Sequence, residues 1–371
     1  MGITNQQNND ELNIKINRIQ RLLDQHGLDA LVLRRVSSFA WATCGAASYI
    51  NTAVSEGAAS LLITADKRYL VTNNIEAPRF EKEEKLLNSG WELCISPWYA
   101  DADYLATLSV GMKLGADGFF PGAVDLSSEL AFLRSQLTSE EILRFRSLGV
   151  LCAEAMKEAF DGLRPGMTEY QAAGLLSEAV ESRGVQAIVN LVAFDERVFA
   201  FRHPLPTDKI LRNYAMLVLC GRKWGLVCSL TRLVHFGKLP ADLRRKMEAV
   251  ARVDATMIAA TRPGTTMGEV FRRAQEAYQD SGFPDEWQLH HQGGLAGYEP
   301  REIVAIPDLP QKISVGQTFA WNPSITGVKS EDTILIGERS NEILTKIEGW
   351  PVIEIKMDGQ RIMRPVIQEK D

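Results

Sequence analysis

His203 in FRHPLPTDKIL (201–211), His290 and His291 in HHQGGLAGYEPRE (290–302), and Glu331 in NPSITGVKSEDTIL (322–335) are the residues whose chemistry stands out. An imidazole takes up and releases protons near neutral pH. A carboxylate in a partly desolvated cleft accepts two hydrogen bonds from an amidine or ammonium group. Arg301 adds a planar fork suited to a carboxylate. Each has a plainer reading beside it. His203 would cap the turn before Pro204, Glu331 would pair with a buried arginine such as Arg232, and Arg301 with Glu302 would form a solvated loop pair. His290 and His291 are adjacent, so on a strand they point to opposite faces, one into the cleft and one into packing, with His291 favoured for the cleft. Cys228 as a nucleophile partnered by His203 stands against a buried structural thiol.

A second stretch draws notice for what it lacks. LVLCGRKWGLVCSLTR (217–232) reads as two strands joined at a tight turn, with Trp224 as a turn or core residue, and holds no Asp or Glu.

The elements that must position these groups fall into two parts. LNIKINRIQRLLDQHG spaces Leu12, Ile16, Ile19, Leu22 and Leu23 as one face of a helix that Gly27 stops. LDALVLR follows as a strand, and SLLITADKRYLVT reads as a hairpin turning at Ala65-Asp66-Lys67. Strands and helices alternate to about residue 136, which predicts a small α/β domain over 11–136. A new unit opens at Thr138, whose spacing to Glu141 makes a capping box ahead of a long helix. Within this unit GLRPGMTEYQAAGLLSEAVESRG (162–184) and ATRPGTTMGEVFRRAQEAYQDSG (260–282) share Arg-Pro-Gly, a capping Thr (Thr168, Thr266) with Gln171 or Glu269 three residues on, and a closing Gly. GLVCSLT (225–231) lies over GVKSEDT (327–333), so Ser229 matches Glu331 and Thr231 matches Thr333. The expectation for 137–371 is an α+β domain of two related halves, each a pair of helices and a hairpin, with its site in the cleft between them.

Composition bounds the rest. The chain has 371 residues, 45% hydrophobic and 24% charged, as in soluble two-domain proteins. A net charge of −6 argues against a nucleic-acid partner. No apolar run approaches the roughly 20 residues that span a bilayer, so no membrane partner is expected. MGITNQQNNDE lacks the features of a signal peptide, and residues 1–10 read as a short disordered leader. Five scattered cysteines with no CxxC pair read as reduced, buried thiols of a cytoplasmic protein.

With these motifs in place, the sequence resembles the creatinase, aminopeptidase P and prolidase family over nearly its whole length. The resemblance implies a pita-bread C-terminal domain with an internal pseudo-twofold repeat, preceded by a smaller creatinase-type N-terminal domain, and a homodimer. RPGMTE is a phrase typical of that family, and its substrate-site histidine falls on His203. Its metallopeptidase members hold two divalent ions with two Asp, one His and two Glu. Those positions fall here on Val218 (or, with a shifted gap, Leu219 or Cys220), Ser229, Gly294, Asn322 and Glu331. The second catalytic-loop histidine falls on Arg301, with Glu302 beside it. Only Glu331 keeps a ligand side chain. Clustered carboxylates without cations raise one another's pKa and cost stability, so removal of the ions explains neutral replacements. The expectation is therefore no metal and no other cofactor.

Creatinase is the metal-independent precedent in that family, with a histidine acid/base and glutamates that hold a guanidinium. By that resemblance His203 and Glu331 are catalytic, and His291, Arg301, Glu302, Asn322, Ser229 and Arg232 bind substrate. The expected function is C–N bond cleavage in a small zwitterionic guanidino, amidino or N-substituted amino acid. The alternatives are a pita-bread module that binds peptides or proteins without catalysis, and an Xaa-Pro metallopeptidase with unconventional ligands.

Overall fold

A computed structural model describes residues 5–100, 104–357 and 359–371. The chain divides into two compact units, Met1–Arg134 with Thr138–Glu140 and Trp224–Leu226, and the remainder.

In the first unit, the helix Asn5–His26 buries Leu12, Ile19, Leu22 and Leu23, the stripe its spacing predicts, with Ile16 half-buried. Gly27 ends it at φ 62°, and the Leu28 N–H closes back onto the Leu23 carbonyl at 3.0 Å. The helix starts at Asn5, so it takes in part of the segment expected as a disordered leader; residues 1–4 lie outside the described residues. The strand Ala30–Arg35 pairs antiparallel with Glu56–Thr64 and parallel with Leu114–Ala116. Glu56–Thr64 turns at Ala65–Lys67 into Arg68–Asn73, the expected hairpin, within a six-stranded mixed sheet.

The second unit carries the repeat. Thr168 and Thr266 each accept from the backbone N–H three residues on, and Gln171 and Glu269 each return a bond to the cap, so both capping boxes form ahead of the helices Glu169–Glu181 and Met267–Asp280. Both segments then pass through a glycine at positive φ, Gly184 and Gly282. Equivalent bridges tie Thr168 to Ile210 and Thr266 to Lys312.

Each half contributes a sheet. One orders Gln368–Lys370, Leu226–Phe236, Tyr214–Lys223 and Gln186–Phe194; the other orders Ile303–Val304, Gly293–Ala296, Thr318–Trp321, Asp332–Ile336 and Asn341–Ile343. Trp224 and Gly225, at φ 53° and 76°, turn the acid-free hairpin, a conformation that suits a two-residue connection. All of Leu226–Phe236 is buried, which accounts for its apolar character.

The two sheets join at a short seam. Thr231 pairs with Glu331, and its hydroxyl donates to Glu331 Oε2 at 2.5 Å. The Ser229 N–H donates to Thr333 Oγ1 at 2.8 Å, and the Thr333 hydroxyl returns to the Ser229 carbonyl at 3.0 Å. In the repeat register Ser229 corresponds to Glu331 and Thr231 to Thr333, so exchanging the halves maps this seam onto itself. Behind it, Arg232, Asp332, Arg364 and Asp254 form a buried ion network with contacts of 2.6 to 2.8 Å.

Candidate active site

His203 lies on the loop after the short helix Glu196–Ala200, and buried Glu169 fastens both ends of that loop. Its carboxylate accepts from the Phe194 N–H at 2.8 Å, Arg197 Nη1 at 2.6 Å, the Thr207 N–H at 2.9 Å and the Thr207 hydroxyl at 2.7 Å. Arg202, next to His203, donates to Glu286 Oε2 at 2.6 Å, on the 3-10 turn Glu286–Leu289 that leads into His290. Gln292, fully buried, donates to the His290 carbonyl at 2.5 Å and accepts from the Tyr278 hydroxyl at 2.8 Å. These bonds bring His203 and His290 together, Nε2 to Nε2 at 3.1 Å.

The two adjacent histidines do not point to opposite faces. The strand begins only at Gly293, so the alternation of a strand does not apply, and the His290 and His291 rings lie 4.4 Å apart at 31°. His203 sits 4.9 Å from the first ring and 5.7 Å from the second. His290 is the most enclosed of the three, and its Nδ1 is buried without a partner.

A cavity of about 310 Å³ opens beside them. His203 and His291 line it together with Val218, Cys220, Asn322, Arg301, Lys329 and Glu331, over Val189, Leu191 and Pro300. The larger cavity, about 730 Å³, lies around Trp350, Ile347 and the hairpin Val352–Pro365. It holds Arg232 and Asp332, which neutralise each other at 2.7 Å. We take the smaller cavity as the site because the titratable groups converge there.

Glu331 is the hub of its wall. The side chain is 2% exposed; Oε1 accepts from Arg301 Nη2 at 2.9 Å, and Oε2 lies 3.0 Å from Lys329 Nζ. Burial pushes its carboxyl up, but Lys329 and Arg301 outweigh burial and hold it at about 2. Burial, then Lys329 and the two neighbouring rings, pushes His290 to about 2; burial with Arg301 and Lys329 pushes His291 to about 4 and His203 below its usual value, so all three are neutral at pH 7.

Several expectations are corrected. Glu331 pairs with Arg301 and Lys329, not with Arg232, which is committed to Asp332 and the Thr345 carbonyl and lies outside the cavity. Both Glu331 oxygens are taken by the chain's own cations, so it is not a free acceptor for a substrate guanidinium. Arg301 gives Nη1 to Ser229 and the Pro300 carbonyl and Nη2 to Glu331, which leaves one Nη2 hydrogen and a buried, unpartnered Nε and no open fork. Ser229 is fully buried, bonded to Cys220 Sγ at 3.2 Å behind the wall. Glu302 accepts from the Tyr298 N–H at 2.9 Å and does not line the cavity. Asn322 does line it, with Oδ1 buried and unpartnered. Cys228 is buried away from the cavity, its thiol pushed well up by burial, which fits a structural thiol; Cys44 and Cys94 are only half-buried.

Lys329 was missed as a site residue, while His291, favoured for the cleft over His290, does line the cavity. Lys329 stands two residues before Glu331, on the same side of an extended segment, and that spacing is the signal that could have found it.

The donor set does not fit two divalent ions of the kind the resemblance implies. Val218 has no donor, Ser229 is neutral and buried, and Glu331 is neutralised by two protein cations. At Gly294 a Cβ would sit 2.1 Å from the Ile303 carbonyl oxygen and 2.9 Å from the Ala305 nitrogen, so no histidine fits there without moving the neighbouring strand. Hard or borderline divalent ions need several deprotonated ligands, and these five positions do not supply them.

Residues 144–338 match metallopeptidase family M24, and the chain belongs to that family. An uncharacterized peptidase of Staphylococcus epidermidis is 25% identical over 238 residues, 60% of this chain and 66% of its own length. The chain thus spans a little under two thirds of that relative. Among solved structures, a prolidase from Pyrococcus horikoshii OT3 superposes with a TM-score of 0.78 at 19% identity, over 90% of this chain and 98% of the other. An Xaa-Pro dipeptidase from Bacillus anthracis gives 0.75 at 18%, with the same coverage. The pita-bread fold with its preceding α/β unit is therefore the fold of this chain. No described helix is long and apolar enough to cross a membrane.

Proposed function

We propose that the chain is a hydrolase of the creatinase type that cleaves a C–N bond in a small zwitterionic substrate without the paired metal ions of its family. The observation that carries this reading is the neutral His203 imidazole, which faces Glu331, Arg301 and Lys329 across one cavity and is backed by His290 at 3.1 Å, Nε2 to Nε2. One carboxylate faces two cations, which leaves one surplus positive charge for a substrate carboxylate. Asn322 Oδ1 provides an acceptor for a substrate N–H. The substrate class is an N-substituted, amidino or guanidino amino acid recognised chiefly through its acid end.

In the reaction, His203 takes a proton from water as the water oxygen bonds to the carbon under attack. The imidazolium then returns that proton to the departing nitrogen as the C–N bond breaks. His290, bonded ring to ring, holds the orientation of the His203 imidazole and receives part of its charge.

The test is to screen chelator-treated protein against small guanidino, amidino and N-acyl amino acids, then compare the His203→Ala variant on the substrate found. Loss of general acid–base catalysis of this kind is worth about 10²- to 10⁴-fold. Unchanged turnover in the variant, or turnover that appears only with added divalent ions, overturns the reading. The second outcome would instead favour a metallopeptidase with unusual ligands.

A further inference from the structure

Three of the chain's five histidines meet beside the cavity, two of them lining it, and their nearest ring nitrogens all lie within 4.8 Å of one another. They come from two separate segments, 203 and 290–291, held together by the Arg202–Glu286 contact and by Gln292. Two of the nitrogens already face each other at 3.1 Å. A tetrahedral ion with bonds of about 2.0–2.1 Å sets its ligand nitrogens roughly 3.4 Å apart. The first pair is near that spacing, and the third ring reaches it by rotation, since His203 and His291 are both exposed.

We infer that His203, His290 and His291 form a mononuclear site for a late first-row divalent ion such as Zn²⁺ or Co²⁺, with its fourth position open to a small anion. Three neutral imidazoles select such ions over Mg²⁺, Ca²⁺ and Mn²⁺, which favour oxygen. None of the three positions coincides with the five that correspond to ligands of the family's paired ions. Arg301 and Lys329 stand near the rings and their charge exceeds that of Glu331 by one, so a hydroxide or carboxylate completes the shell better than neutral water. The ion's charge on the His203 ring opposes the protonation that proton transfer requires, so it acts as a reversible inhibitor; this last step alone rests on the function proposed above.

Titration of chelator-treated full-length protein with Co²⁺, followed by visible absorption, tests the site. One equivalent is expected to give the intense d–d bands of a four-coordinate ion, which Zn²⁺ abolishes and Mg²⁺ leaves unchanged. His291→Ala, at an exposed position, is expected to lower Co²⁺ affinity at least tenfold while circular dichroism and the thermal midpoint stay those of the parent. His26→Ala and His235→Ala are expected to bind as the parent does. Absent bands, or equal affinity in a folded His291→Ala protein, overturn the site. Co²⁺ binding with turnover that is unaffected or enhanced refutes the inhibition and keeps the site. Absent turnover in every condition counts against the proposed function and leaves the spectrum as the measure of the site.

Discussion

Arg301 spans the space between Glu331 and Ser229, with one Nη at 2.9 Å from the carboxylate and the other at 3.3 Å from the hydroxyl. These two positions correspond, by resemblance, to carboxylates that share divalent ions in metal-dependent relatives. Here a guanidinium, with Lys329 beside it, supplies positive charge at the surviving acid. The apolar hairpin keeps its place as cavity wall and seam, and its lost acids have a local electrostatic counterpart.

Removing Arg301 should therefore leave Glu331 paired with Lys329 alone. Arg301→Ala is expected to destabilise the protein by about 2 kcal/mol, because the buried carboxylate loses one of its two charge-assisted partners. Glu331→Gln added to it should recover part of that loss. Urea unfolding of the two single variants and the double variant measures the coupling, and strictly additive effects would sink the account.

The acid limb of stability should carry the signature of Glu331. Its carboxyl is held at about 2 in the folded chain against 4.5 for the free side chain. The folded value is depressed, so the stabilisation is fully present above about pH 4.5 and is lost as pH falls toward 2. On this scale it amounts to about 3 kcal/mol. Glu331→Gln should flatten the dependence of Tm on pH between 5 and 2; an unaltered slope would place the acid lability elsewhere.

Restoring the missing metal-site histidine should fail sterically. Gly294→Ala alone places a Cβ against the Ile303 carbonyl and is expected to cost about 3 kcal/mol, and Gly294→His more. A fully stable Gly294→His protein that gains two equivalents of tightly bound Mn²⁺ or Zn²⁺ would contradict the steric reading.

The two capping boxes give a paired test of the repeat. Thr168→Ala and Thr266→Ala each remove one side-chain acceptor and should each cost about 1 kcal/mol. Denaturant midpoints that shift for one and not the other would show that the halves are not mechanically equivalent.

How much of this was legible in the sequence varies by the kind of constraint. Thr168, Thr266, Gln171 and Glu269 act within a few residues of their partners, so their spacing declared the helix starts and the repeat. His203, Asn322, Glu331 and Arg301, singled out through the resemblance, do meet at one cavity. The partners of Glu331 were not legible, because a carboxylate's choice among Arg232, Arg301 and Lys329 is made by tertiary placement. The adjacent histidines misled for a related reason. Alternation holds inside a strand, and the strand starts two residues too late to separate them.

The seam at Ser229, Thr231, Glu331 and Thr333 has a consequence for how the site can be lost. Its bonds run from one half of the duplicated domain to the other, so the support behind the cavity wall is the property of neither half. A fragment ending after Phe236 would retain two of the four residues and none of their reciprocal partners. Amide protons there should exchange only when both sheets open together, so the pocket melts all at once and never by erosion of one side.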